Sequence, residues 1–302
     1  MSKHASSQVS KPPTVAQVLA RGIFALAKAS DSARTDAQIL LAHSLKKDRP
    51  WLVAHGESFL TPGQAERYER LIERRASGMP IAYMLASAGF FGREFIVNEH
   101  VLIPRPESES LVTEAVAFLR SRVDPMRKAQ ILRVLDIGVG SGALGCSIAA
   151  EVPQAAVEGV DISAEALAVA TQNARRLHVH RRCTFVQGDL GAPVAHRSFD
   201  LVVANLPYVP TADIAPAPDP VSFEPRLALD GGPDGLDLYR RLLDVAPALL
   251  YPGGLLLLEA APPLMAALEA LVKGAFPDAA TVSLGRDLGG QERFVRVQAS
   301  LP

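Results

Sequence analysis

Asn205, Leu206, Pro207 and Tyr208 follow an apolar run over 199–204 that reads as a buried strand. An amide, a proline and a phenol at the end of such a strand form a cradle for a planar NH2 group. The Asn205 side-chain oxygen and the Leu206 carbonyl can each accept a hydrogen bond from it. The Tyr208 ring can pack on the flat π-system beside it. Asn and Pro are also common strand breakers, so the tetrapeptide alone is equally a plain turn.

A second constellation lies upstream. Asp136 precedes Gly138-Val139-Gly140-Ser141-Gly142, a G-x-G-x-G loop between an apolar strand and a helix. Glycines there let the backbone turn tightly and approach a ligand. A dinucleotide fingerprint would read G-x-G-x-x-G. A pyrophosphate prefers a helix N-terminus free of negative charge, whereas the acidic Asp136 suits a cationic or amine-bearing ligand. The next strand ends in Asp161, about 20 residues beyond the loop, where an acidic residue commonly accepts from ribose hydroxyls. The third strand ends near Asp189-Leu190. There a carboxylate could accept from an adenine amine, with the leucine packed on the ring.

The elements that must position these residues follow from the pattern. Val15 to Gly78 shows apolar residues at helical spacing, with Asp36 and Thr61 as helix starts, and reads as a small helical domain. Trp51 belongs to its core. The alternation between Ile81 and Ile103 predicts a β-hairpin joining two domains. A helix is expected over about 108–119, then a charged connector over 120–130. From Ile131 strands and helices alternate. Strands are expected near 131–137, 156–161, 182–187, 199–204, 254–259, 280–284 and 293–298, and helices near 142–151, 163–177 and 235–250. Such alternation predicts an α/β fold with a mostly parallel sheet covered on both faces, whose ligands bind at the carboxyl ends of the strands.

Composition excludes several classes. The chain has 302 residues, 48% of them hydrophobic, enough for a sizeable core. Its formal net charge of -1 supplies no global basic field for nucleic acid. Arginine pairs such as Arg74-Arg75 and Arg175-Arg176 read as solvated helix faces. The two cysteines, Cys146 and Cys183, have no metal-ligand spacing, and neither they nor the histidines suggest a metal site. A reduced, cytoplasmic setting is the simplest expectation. The polar stretch from Met1 to Thr14 lacks the apolar core of a signal peptide. The most apolar region, about Leu249 to Val272, is broken by Gly253-Gly254, Glu259 and Pro262-Pro263, so no membrane span is expected. No internal repeat is visible.

The glycine loop, the ordered acidic strand ends and the Asn-Leu-Pro-Tyr tip together resemble the S-adenosylmethionine-dependent methyltransferases. The resemblance implies a Rossmann-like class I fold with a seven-stranded mostly parallel sheet. It implies that Gly138, Val139, Gly140, Ser141 and Gly142 line the cofactor, that Asp161 holds its ribose, that Asp189 and Leu190 flank its adenine, and that Asn205 borders it. S-adenosyl-L-homocysteine would be the product. In this superfamily an Asn-Pro-Pro-Tyr type of tetrapeptide marks methyl transfer to a planar nitrogen, either a base amine or a glutamine amide. Leu206 stands where the glutamine-modifying family usually has proline. Asn-Leu-Pro-Tyr is also the form in ribosomal RNA adenine dimethyltransferases. The flanking blocks decide: Leu102-Ile103-Pro104-Arg105-Pro106-Glu107, Ser222-Phe223-Glu224-Pro225-Arg226-Leu227, Asp230-Gly231-Gly232-Pro233-Asp234-Gly235, and Asp36-Ala37-Gln38-Ile39-Leu40-Leu41. Together they resemble the HemK/PrmC family of release-factor glutamine methyltransferases from about Val15 to Val297. A sister group acting on a large-subunit ribosomal protein tends to carry Pro-Arg-Ser-Pro where this chain has Pro104-Arg105-Pro106-Glu107.

The family would make residues 1–80 a helical substrate-docking domain, 81–103 a hairpin linker and 104–302 the methyltransferase domain. It would make peptide-chain release factors the partners, with no membrane and no direct nucleic-acid binding. Asn205, Leu206, Pro207 and Tyr208 would form the catalytic segment. Of the flanking residues, Phe223-Glu224-Pro225 is expected to help close the site, and Asp230 to Gly235 to serve as turn chemistry.

Overall fold

Local signals start most of the helices where the sequence places them. The computed structural model describes residues 11–127, 130–216, 218–278 and 281–301. The first ten residues of the polar N-terminal stretch, and the expected strand start at 280, lie outside them. The chain divides into two compact units, Met1–Leu85 with Ala217–Phe223, and Ala86–Pro216 with Glu224–Pro302.

The first unit holds α1 (Val15–Leu26), α2 (Ala33–Leu45), α3 (Arg49–Ala54), α4 (Pro62–Ala76) and α5 (Ile81–Leu85). Thr14 and Thr61 cap α1 and α4 through reciprocal bonds with Gln17 and Gln64, and Pro62 opens α4 with a φ already suited to a helix. Asp36 does not start α2. That helix begins three residues earlier, at Ala33 after Ser32, and Asp36 is buried in its first turn. Its carboxylate accepts from the Ser30 and Ser32 hydroxyls at 2.7 and 2.8 Å and from Arg75 Nε at 2.8 Å. Burial is tolerated because three donors replace water. The core gathers Leu26, Leu40, Leu41, Leu52, Tyr68 and Ile72; Trp51 packs on its edge and stacks on His55.

The second unit opens with the hairpin β1 (Ala88–Phe90) and β2 (Arg93–Phe95), shorter than the stretch 81–103 because Ile81–Leu85 is helical. Phe90 and Phe95 are both buried in the core of this unit. Then come α6 (Glu109–Arg122), β3 (Leu132–Ile137), α7 (Ala143–Glu151), β4 (Ala155–Asp161), α8 (Ala164–Arg176), β5 (Cys183–Gln187), β6 (Phe199–Ala204), α9 (Asp237–Leu243), β7 (Leu250–Glu259), α10 (Met265–Ala275), β8 (Thr281–Arg286) and β9 (Glu292–Gln298). The helix expected over 235–250 stops at Leu243, and a 3-10 turn follows over Ala246–Leu249. Pro247 has no N–H to continue the α-helical ladder.

The seven strands lie in the order β5-β4-β3-β6-β7-β9-β8. Only β9 runs against its neighbours. Apolar side chains fill both faces of the sheet, in two separate core clusters. The chain winds from β3 to β4 in one direction and reaches β6 on the other side of β3. That reversal leaves a crevice at the carboxyl ends of β3 and β6. Ile137 pairs with Ala204, and Ala204 with Leu258. Gly138, Asn205 and Glu259, each one residue further on, therefore emerge side by side.

Candidate active site

At this switch point lies a cavity of about 360 Å³. It is lined by Gly138, Val139, Gly140 and Ser141 from the loop after β3, by Asp161 after β4, by Asp189 and Leu190 after β5, and by Asn205, Leu206 and Pro207 after β6. Ten of the sequence-predicted positions thus meet at one place, although they come from four separate strand ends.

Two predicted positions, Gly142 and Tyr208, are not in the lining. Gly142 is buried, with φ +79, and turns the loop into α7; a Cβ there would approach Ala170 and the Cys146 sulfur at 3.2 Å. Tyr208 packs its ring against the core below the sheet end, and burial pushes its hydroxyl up to about 12. Asp136 also differs from expectation. It is fully buried under the loop, where Oδ2 accepts from the Gly145 N–H at 2.9 Å. Gly145 is the third residue of α7, so Asp136 supplies the cap that Gly142 lacks the side chain to give. Burial raises its carboxyl to about 7, against the Gly145 bond that lowers it.

Asp161 organises the loop and remains accessible. One oxygen accepts from Gly140 N at 2.8 Å and the other from Ser163 N at 2.9 Å. A carboxylate has about four acceptor positions, so two remain for hydroxyl donors. Asp189, expected beside an adenine, is half exposed and ion-paired with Arg241 across the cavity wall. Asn173 on α8 is fully buried and braces the loop from behind, donating to the Ser141 and Ile96 carbonyls at 2.8 and 2.9 Å.

The Asn205 amide is held from one side. Its Nδ2 donates to Ser108 Oγ at 3.1 Å. With Nδ2 committed, Oδ1 is the acceptor left for a ligand. The Leu206 side chain is buried, and its Cδ2 would lie 3.1 Å from a Cβ at Gly138. Leucine here closes the space over the first loop glycine, while its carbonyl lies 3.3 Å from Tyr239 Oη, whose single proton goes to the nearer Glu259 carbonyl, so acceptor capacity remains at Leu206. The turn at Gly231–Gly235 backs the tetrapeptide, since a Cβ at Gly231 would stand 2.7 Å from the Pro207 carbonyl oxygen.

Sequence reading passed over Ser108, Arg241 and Glu259, whereas Arg105 and Glu224 stand in the flanking blocks it singled out. Ser108 begins α6 and looks like an ordinary helix-start serine. Arg105 lines the cavity and pairs with the buried Glu224 at 2.5 Å; Glu224 also accepts from Ile103 N at 3.1 Å. This ties the segment before α6 to the one carrying Pro225 and Leu227, which also line the cavity. Arg241 was hidden as one of a helix pair. Glu259 ends β7 with its side chain wholly buried beside Ser108 and Asn205.

Comparison with known proteins agrees with this geometry. Residues 17–85 match the PrmC N-terminal domain and residues 110–216 the methyltransferase small domain. A release factor glutamine methyltransferase of Moorella thermoacetica is 44% identical over 82% of this chain and 85% of its own length. One of Bordetella pertussis is 40% identical over 86% of this chain and 93% of its own. The chain belongs to the release factor glutamine methyltransferase family. The fold alone is shared with the hMettl16 catalytic domain, at a TM-score of 0.52 and 12% identity, over 81% of this chain and 84% of that one.

Membership makes this a class I methyltransferase that uses S-adenosylmethionine. The cavity suits that molecule. Its volume is that of a small-ligand site. The Gly140 backbone is open, with nothing within 4 Å of an added Cβ, so a ligand can approach the main chain. The loop and its flanks present Asp161 rather than a basic side chain, which fits a ribose and a cationic amino acid better than a pyrophosphate.

Proposed function

We propose that this protein methylates the side-chain amide nitrogen of the glutamine in the Gly-Gly-Gln loop of bacterial peptide-chain release factors. The observation that carries the reading is the Asn205 amide, tethered through Nδ2 to Ser108 at the mouth of the cavity. Gly138 to Ser141 would hold the amino-acid portion of S-adenosylmethionine, Asp161 its ribose, and Leu190 its adenine face. Bound there, S-adenosylmethionine supplies the methyl group.

An amide nitrogen is a poor nucleophile because its lone pair is delocalised into the carbonyl. Asn205 Oδ1 and the Leu206 carbonyl would each accept one N–H of the glutamine amide. Two fixed acceptors orient the nitrogen and raise its electron density. They also stabilise positive charge as it develops there, and being part of the fold they need no reorganisation. The apolar lining from Leu102, Pro225 and Leu227 would keep water from the reacting nitrogen. The helical first unit would help dock the protein substrate, and a release-factor substrate would have the enzyme act in the cytoplasm beside the translation machinery. No helix among the described residues is long and apolar enough to cross a membrane.

Labelled methyl transfer to intact release factor tests the reading. A factor with the glutamine changed to alanine should accept no label. Equal labelling of that factor would overturn the substrate assignment.

A further inference from the structure

Glu259 has no place in the chemistry above, yet it is the last residue of β7 and sits directly behind the tetrapeptide. Its side chain is wholly buried, and neither carboxylate oxygen meets a donor in full hydrogen-bond geometry. A buried group of this kind calls for a physical reason, because leaving it unsatisfied costs stability. Two neutral donors face it, the Ser108 hydroxyl and the Asn205 amide, and both favour its charged form.

We propose that Glu259 is a positioning residue for methyl transfer: through Ser108 and the Asn205 amide, its carboxylate keeps the Asn205 nitrogen turned inward and the oxygen turned toward the acceptor. This rests on the reading of Asn205 as the acceptor of the substrate NH2. An ionised carboxylate can only accept, so it selects the NH2 end of the asparagine and the OH of the serine. Protonated Glu259 can donate, and that selection is lost. The negative charge also lies on the side from which positive charge at the substrate nitrogen is stabilised.

The surroundings make the group titrate in a useful range. Burial pushes Glu259 up to about 7, with Glu107 in the same direction; Ser108, Arg293 and Asn205 act against them. Arg293 on β9 is committed to Asp287 at 3.0 Å. Tyr239 on α9 donates to the Glu259 main-chain carbonyl, and Tyr208 lies nearby; burial raises both hydroxyls, so both stay neutral.

The test uses the full chain labelled with 15N, with the Asn205 side-chain NH2 identified by its loss in Asn205→Ala. In the natural sequence this resonance should titrate with a midpoint near 7, and in Glu259→Gln it should not. Single-turnover transfer to release factor should rise through the same midpoint. In Glu259→Gln it should be slower by roughly tenfold or more and lose that rise, with S-adenosylmethionine affinity unchanged. A packing role alone would lower the rate and leave the pH profile in place. An Asn205 resonance that ignores pH, or that titrates equally in Glu259→Gln, overturns the proposal. A titrating resonance in a protein that does not methylate release factor would overturn the substrate reading and leave the coupling standing. Should Glu259→Gln not fold, Ser108→Ala removes the intervening hydroxyl and should displace the midpoint; an unmoved midpoint counts against the relay.

Discussion

The Asn205 amide nitrogen and the Ser108 hydroxyl meet at 3.1 Å although 97 residues separate them in sequence. One ends a strand and the other begins a helix. Their contact turns an asparagine that could point either way into one with a defined acceptor.

Asn205→Ala removes that acceptor. We expect the rate of methyl transfer to fall by roughly 10²- to 10³-fold, the usual cost of losing one fixed electrostatic partner. S-adenosylmethionine affinity, measured by calorimetry, should change little. A comparable loss in affinity would mean that Asn205 serves the cofactor instead.

Leu206→Ala separates the side chain from the carbonyl. The side chain is 3% exposed and packs in the core, so truncation should cost about 2–5 kcal/mol by denaturant unfolding. The carbonyl survives, and the maximal rate below the new melting point should stay within a few-fold. A rate collapse in a folded variant would show that the leucine side chain itself shapes the acceptor site.

Asp161→Ala removes the acceptor of the Gly140 and Ser163 N–H groups along with the hydroxyl partner. Affinity for S-adenosylmethionine should drop by roughly tenfold or more, since a hydrogen bond to a charged group contributes about 1.5–3 kcal/mol. Equilibrium binding at fixed pH decides it; an unchanged dissociation constant sets the ribose role aside.

Glu224→Gln keeps the shape and removes the charge that holds Arg105. The Michaelis constant for release factor should rise severalfold with a smaller change in maximal rate, because the pair ties together two segments of the cavity wall but neither residue is an acceptor of the substrate amide. An effect confined to the maximal rate would instead place the pair at the chemical step.

Stability should depend on pH through Glu259. Its pKa is raised from an ordinary 4.5 to about 7. Between those values the folded chain binds more protons than the unfolded one, so stability is lost as pH rises. The full effect is on the order of 3 kcal/mol. Asp136, raised from 3.8 to about 7, acts in the same sense. Glu259→Gln should therefore gain stability over the natural sequence as pH goes from 4 to 8, read as a widening gap in melting temperature. A gap that stays constant across that range would argue against an ionising Glu259.

What could be read from the chain alone was local. Strand and helix periods, the helix start at Thr61, the loop glycines and the tetrapeptide each depend on neighbours a few residues away. A mostly parallel sheet follows from alternation, because parallel strands need crossover connections; the order β5-β4-β3-β6-β7-β9-β8 is a tertiary result. Other features depend on partners distant in sequence. Asp36 looked like a helix start and is the hub of a buried ion pair with Arg75. Tyr208 could be read only as a ring at a strand end; that it is largely buried against the core, with the Gly235 backbone close to its carbonyl, is a tertiary result. Ser108 and Glu259 had no distinguishing local signal, since an unremarkable serine or glutamate gains its surroundings only from what the fold sets beside it; Glu224 was marked by its block, but its pairing with Arg105 was not.

Asn205 shows the division most clearly. Its residue type and its place after an apolar strand were enough to mark it as a holder of a planar NH2. Which end of its amide faces the cavity was decided only in three dimensions, by a serine from the start of α6. Hydrogen-bond direction is a property of the group on the far side, and that group is 97 residues away for Ser108.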